Sequence, residues 1–136
     1  MDIQHRTITL EEYHAICDLP ENADKILELI DGEIVEKMPS YEPSNIAGWI
    51  VTFINMHLLV NPIGSTTTSD VGYVLSEDRV LIPDVGYISN EHRGDKPKRE
   101  VLAPPDLAIE IKSPSDSKRA LRRKAEKYLE NGTQLV

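Results

Sequence analysis

A lone cysteine, Cys17, leaves the chain no disulfide of its own and suits a reducing compartment, so a cytoplasmic protein is expected. Its bland role, a small half-buried residue, outweighs that of a nucleophile. No apolar run reaches the ~20 residues of a membrane span. The best candidate, the stretch from Asn45 to Val60, is too short and carries Asn55 and His57 in its middle. The opening Met1-Asp2-Ile3-Gln4-His5-Arg6 has no apolar segment behind it, so no secretory leader is expected. Also missing are the glycine-rich phosphate and dinucleotide loops, the Gly-x-Ser-x-Gly elbow and any Cys/His zinc spacing. Nucleotide-cradling, serine-nucleophile and zinc-finger chemistries lose their usual vehicles.

What is present is charge, unevenly placed. Residues 1–36 carry ten acidic side chains against Arg6 and Lys25, which accounts for the whole net charge of −8. From Arg93 onward 11 basic residues face 7 acidic ones. An acidic front and a basic back are compatible with a phosphate-binding face without requiring one. The length of 136 residues suits a single domain with one core.

Local signals order the elements. Thr9-Leu10-Glu11-Glu12 is a capping box, so a helix is expected from Leu10 to about Cys17. Asp31-Gly32 between Ile26–Ile30 and Ile34-Val35 is the strongest hairpin signal. Ser44 is a candidate cap for a helix over Asn45–Val60, apolar nearly all round and therefore expected as the central core helix, with His57 a satisfied core histidine. A Thr-rich strand is expected from Ser65 to Leu75, a turn at Ser76–Arg79, and a strand from Val80 to Ile88 with a bulge or edge at Pro83. A long polar segment, Asn90–Pro104, leads to a strand ending near Ser113. A helix follows from about Ser117 to Glu130, closed by Asn131-Gly132, and Thr133–Val136 reads as the start of a strand. That open strand invites pairing with a second copy, which makes a homodimer the expected assembly.

Two of these strands carry charges where a structural strand would carry hydrophobes. Alternation in Leu107–Lys112 puts Ala108, Glu110 and Lys112 on one face, beside a strand carrying Asp84. Two carboxylates and an ammonium so arranged suit a hard divalent cation, with the lysine serving a bound water. Their bland reading is solvated strand charges or salt-bridge partners. Asp70, in the preceding strand, is a weaker further ligand.

Pro83-Asp84 followed by Glu110-Ile111-Lys112 resembles the signature of the PD-(D/E)XK nuclease superfamily. The segments Glu28-Leu29-Ile30-Asp31-Gly32-Glu33, Ile82–Ser89, Ala103–Glu110, Ser113-Pro114-Ser115-Asp116 and Lys124–Thr133 are similar to one branch, the Uma-two family of restriction-endonuclease-like proteins. The resemblance implies an α/β restriction-endonuclease-like core, a mixed β-sheet flanked by helices, with the N-terminal helix and hairpin added. One domain over residues 1–136 is expected, apparently short of the family's C-terminal strands.

The resemblance also implies an Mg²⁺- (or Mn²⁺-) dependent endonuclease acting on nucleic acid, DNA above all. Asp84 and Glu110 would hold the metal, Lys112 would serve the water, and Glu28 would assist, with its neighbour Glu33 as an alternative. Lys124, the rival lysine, is expected instead to snorkel along the apolar stripe of its helix. Arg93, Lys98, Arg119, Arg122 and Arg123 are candidate nucleic-acid contacts, against the bland reading of a solvated basic face. Ser113 or Ser115 could also touch a phosphate. The alternative from another class is an inactive nucleic-acid- or protein-binding module on the same fold.

Overall fold

The computed structural model describes residues 6–136. Helix α1 (Leu10–Cys17) starts at the expected capping box: the Thr9 hydroxyl accepts the Glu12 N–H while the Glu12 carboxylate accepts that of Thr9. After a single 3₁₀ turn, strands β1 (Ile26–Ile30) and β2 (Glu33–Lys37) form the expected hairpin. Asp31 and Gly32 both take positive φ, 51° and 79°, as a tight turn of this hand requires.

The register pairs Glu28 with Val35 and Ile26 with Lys37. Glu28 and Lys37 therefore share one face of the hairpin. Leu27 and Leu29 take the other and pack with Tyr13 of α1, whose hydroxyl donates to the Leu27 carbonyl (2.8 Å).

Helix α2 (Tyr41–Val60) departs from expectation twice. It begins before Asn45, with Ser40 rather than Ser44 at its N-cap, because Pro43 sits in the first turn, where a missing N–H costs nothing. Nor is it a core helix: Ala47 is its only buried residue, and His57 is exposed. Apolar residues all round a helix report its composition, not what covers it. α2 lies against β3 (Gly64–Thr67) and β6 (Val85–Ser89) and leaves its far side in solvent.

The expected long strands are each broken in two. The Ser65–Leu75 stretch divides into β3 and β4 (Tyr73–Ser76), and Val80–Ile88 into β5 (Arg79–Leu81) and β6. In both cases the halves join different sheets. One sheet has the order β2-β1-β5-β4 and the other β3-β6-β7, where β7 is Leu107–Ile109; all these pairs are antiparallel. The second break falls at Ile82-Pro83-Asp84. Proline, lacking an N–H, cannot carry a ladder through, so Asp84 stands where the chain crosses between sheets.

β7 is also shorter than the expected Pro105–Ser113 strand. The Ile111 N–H goes to the Asp84 carboxylate (2.7 Å) rather than to a neighbouring strand, so regular pairing stops before Glu110. Parallel bridges, Tyr73 with Val101 and Leu107 with Leu135, extend the sheets; the second is the expected strand onset, lying beside β7. A short helix α3 (Asn90–Arg93) opens the polar segment after β6.

Helix α4 (Lys118–Glu130) is capped by the Ser117 hydroxyl and ends at Gly132, φ 105°. Its Tyr128 is fully buried with Leu81 and Ala108. Outside that contact, a polar clasp ties it to the hairpin. Lys127 donates to Asp31 (2.7 Å), and Arg79 donates to both Asp31 (2.5 Å) and Glu130 (2.8 Å). Burial pushes the Asp31 carboxyl up, but the two cations outweigh it and hold the group below its usual range. Among the described residues no helix is long and apolar enough to cross a membrane.

Candidate active site

A cleft of about 620 Å³ opens between the β1–β2 hairpin, the β5–β6 crossing, the end of β7 and α4. Each element contributes its charged groups for a traceable local reason. The hairpin register turns Glu28 and Lys37 inward, the break at Pro83 frees Asp84, and the early end of β7 delivers Glu110. α4, docked by the buried Tyr128, presents Lys124.

The geometry is a chain of charge-assisted bonds. Lys124 Nζ lies 2.7 Å from Glu28 Oε1 and 2.8 Å from Glu110 Oε1. Glu28 Oε1 also accepts the Ile82 N–H (2.7 Å), and Glu110 Oε1 the Tyr128 hydroxyl (2.9 Å). Lys37 Nζ donates to Asp84 Oδ1 (3.0 Å) and to the Ile82 carbonyl (2.7 Å), leaving Asp84 Oδ2 for Ile111. The side chains of Glu28, Glu110 and Lys124 are 4%, 9% and 13% exposed. They are nearly sealed, yet all three line the cleft.

Three carboxylates share two ammoniums, so ionised the cluster carries one excess negative charge. Burial and that excess set the proton affinities together. Burial pushes the Glu110 carboxyl above its usual range, more strongly than Lys124 and Lys37 pull it down. Burial alone would lower Lys124, but Glu110 and Glu28 more than reverse this and raise it. Burial, then the neighbouring carboxylates, raise the Tyr128 hydroxyl well above its ordinary value.

The donors suit a hard cation. Mg²⁺ is generally held by one or two carboxylates, with water and substrate phosphate completing its shell. Asp84 and Glu110 both line the cleft, where the excess negative charge favours a cation. Among the described residues no group of three ligating side chains converges, so a metal here would rely on two.

The expected residues divide sharply. Asp84, Glu110 and Glu28 all line the cleft, Glu28 buried there, while Glu33 lies exposed at the rim. Lys112 does not join them. Because pairing ends at Ile109, alternation fails beyond it, and Lys112 is exposed with Nζ on the Ser113 carbonyl (3.2 Å). Lys124 occupies the position expected of Lys112 and does not snorkel to the surface.

Asp70 is exposed in the β3–β4 connection, bonded to Thr68, and does not line the cleft that holds Asp84. Among the basic candidates, Arg123 lines the cleft, whereas Lys98, Arg119 and Arg122 are exposed elsewhere and Arg93 packs against Ser65 (3.0 Å). Ser113 and Ser115 line the cleft, with the Ser113 hydroxyl held by Asp116 (2.9 Å). Lys37 and Tyr128 were not singled out from the sequence. The signal for Lys37 was available: the Asp31-Gly32 turn fixes a register that puts it on the Glu28 face.

The family profile described as "Putative restriction endonuclease", Uma2, matches residues 10–136. Among solved structures, a protein from Anabaena variabilis ATCC 29413 described as "a putative nuclease belonging to DUF820" superposes with a TM-score of 0.76. It is 27% identical, and the match covers 95% of this chain and 73% of that one. No curated protein matches the chain.

Proposed function

The chain belongs to the Uma2 family of restriction-endonuclease-like proteins, and from that premise we propose that it is a metal-dependent nuclease cutting phosphodiester bonds, with DNA the substrate and the cytoplasm its place of work. One observation carries this reading: a single buried lysine, Lys124, joins two carboxylates on the floor of an open cleft that also holds Asp84.

Asp84 and Glu110 are the proposed holders of Mg²⁺ or Mn²⁺, which when bound polarises the scissile phosphate and acidifies water. Lys124 is a fixed cation beside Glu110. It is placed to hold the attacking water by hydrogen bonding and to offset charge developing on the phosphate. Glu28 holds Lys124 in place, and Tyr128 fixes the Glu110 carboxylate. Lys37 keeps Asp84 oriented through Oδ1, while Oδ2 accepts the Ile111 N–H. Arg123, at the cleft wall, is the proposed contact for a flanking phosphate.

The test is relaxation of supercoiled plasmid by the purified protein. Wild type should nick in Mg²⁺ and stop on chelation, and Asp84→Asn should fall by at least about 100-fold, the scale of losing a preorganised electrostatic group. Equal activity in both proteins would mean a contaminant.

A second reading has its own observation: Asp84 and Glu110 are each already paired with a lysine, as in a binding module whose chemistry has lapsed. No cleavage by wild type, with gel shifts that weaken steeply as salt rises, would favour that reading.

A further inference from the structure

The outer face of α2 plays no part in the cleft chemistry. From Pro43 to Ser69 the chain has no Asp, Glu, Lys or Arg, although 28% of its residues are charged. Ile46, Trp49, Phe53, Met56 and Val60 stand 40%, 61%, 64%, 57% and 80% exposed along this helix. They are separated by three and four residues in alternation, the spacing with which one helix packs on another. At 3.6 residues per turn they fall within about 80° of arc, opposite the buried Ala47. The Trp49 and Phe53 rings already lie together, centroids 6.3 Å apart.

We propose that this stripe is a seam for the same helix of a second copy, running antiparallel about a two-fold axis at Phe53. Three observations favour that occupant. The stripe is close to self-complementary about its centre: Ile46 would face Val60, Trp49 would face the adaptable Met56, and Phe53 would face itself.

Charge points the same way. With a net charge of −8 two copies repel each other overall, and an uncharged stripe lets them meet without burying like charges. A nucleic acid or an anionic membrane would call for basic residues, which the segment lacks.

Area is adequate too. Large side chains offer roughly 150–250 Å² each, so at these exposures the five present on the order of 600 Å², near the ~800 Å² per partner of a standard interface. The inference is independent of the nuclease reading. It also differs from pairing through the strand edge at Leu135.

Light scattering on the full chain across a dilution series tests it. At about 100 µM, where even a modest interface is populated, the mass should be twice that of the chain. Phe53→Glu places two carboxylates on the axis and should weaken the dimer by about 100-fold or more, as loss of a central aromatic anchor does. Its far-ultraviolet circular dichroism should be unchanged, since Phe53 is exposed within one copy. Leu102→Glu, an exposed apolar residue off the stripe, should leave the dimer intact. A wild-type monomer at the highest concentration would overturn the proposal. So would a dimer that Phe53→Glu leaves untouched, which would point to the Leu135 edge.

Discussion

Lys124→Met should lower phosphodiester cleavage by about 10³-fold, the upper range for losing one preorganised charge, while Lys112→Ala stays within about threefold of wild type, as loss of a solvent-exposed group does. The contrast follows from placement. Lys124 is nearly buried, bonded to Glu28 and Glu110 at 2.7 and 2.8 Å, whereas Lys112 projects into solvent. A lysine with two carboxylate partners is held without rotamer freedom, so no reorganisation precedes the reaction.

Removing it has a second consequence. Two buried carboxylates would be left facing each other, and breaking such a pair costs about 3–5 kcal/mol. The cleavage assay therefore belongs at a temperature where circular dichroism shows the variant folded. Adding Glu28→Gln should restore stability without restoring cleavage, because it relieves the repulsion but returns no ammonium. Equal losses from Lys112→Ala and Lys124→Met would contradict the assignment.

The second large effect is on stability. Tyr128→Ala should cost about 3–5 kcal/mol, since truncating a buried aromatic loses its transfer energy and leaves a cavity. Against a total of roughly 5–15 kcal/mol this brings the domain near unfolding. Tyr128 is wholly buried against Leu81 and Ala108, and is the buried residue of α4. Tyr128→Phe keeps that packing and loses only the bond to Glu110, worth about 1.5–3 kcal/mol for a charged acceptor. Denaturant melts of the two variants separate packing from hydrogen bonding. Equal costs would mean the hydroxyl, not the ring, docks the helix.

What could be read from the chain was what short-range chemistry decides. The Thr9–Glu12 capping box, the Asp31-Gly32 turn and the Asn131-Gly132 stop each act over a few residues and stand where expected. Asp84 and Glu110 were visible because charges interrupt strands that otherwise want hydrophobes.

The misplacement of Lys112 has a long-range cause. Strand alternation holds only as far as Ile109, because the N–H of Ile111 is taken by a carboxylate 27 residues away. No local pattern reports such a capture. Lys124 was visible on the inner edge of its helix, yet its partners lie on β1 and beyond β7. The burial of α2 failed for a related reason: composition gave its hydrophobicity, while the sheet beneath covers only one side of it.

The central claim is that Asp84 and Glu110 serve one cation. Manganese titration followed by electron paramagnetic resonance measures this directly, using wild type, Asp84→Asn and Glu110→Gln under otherwise identical conditions. The account predicts one Mn²⁺ site per chain in wild type, weakened severely by either substitution. A wild type that binds no Mn²⁺, or a site that both variants keep unchanged, would contradict it.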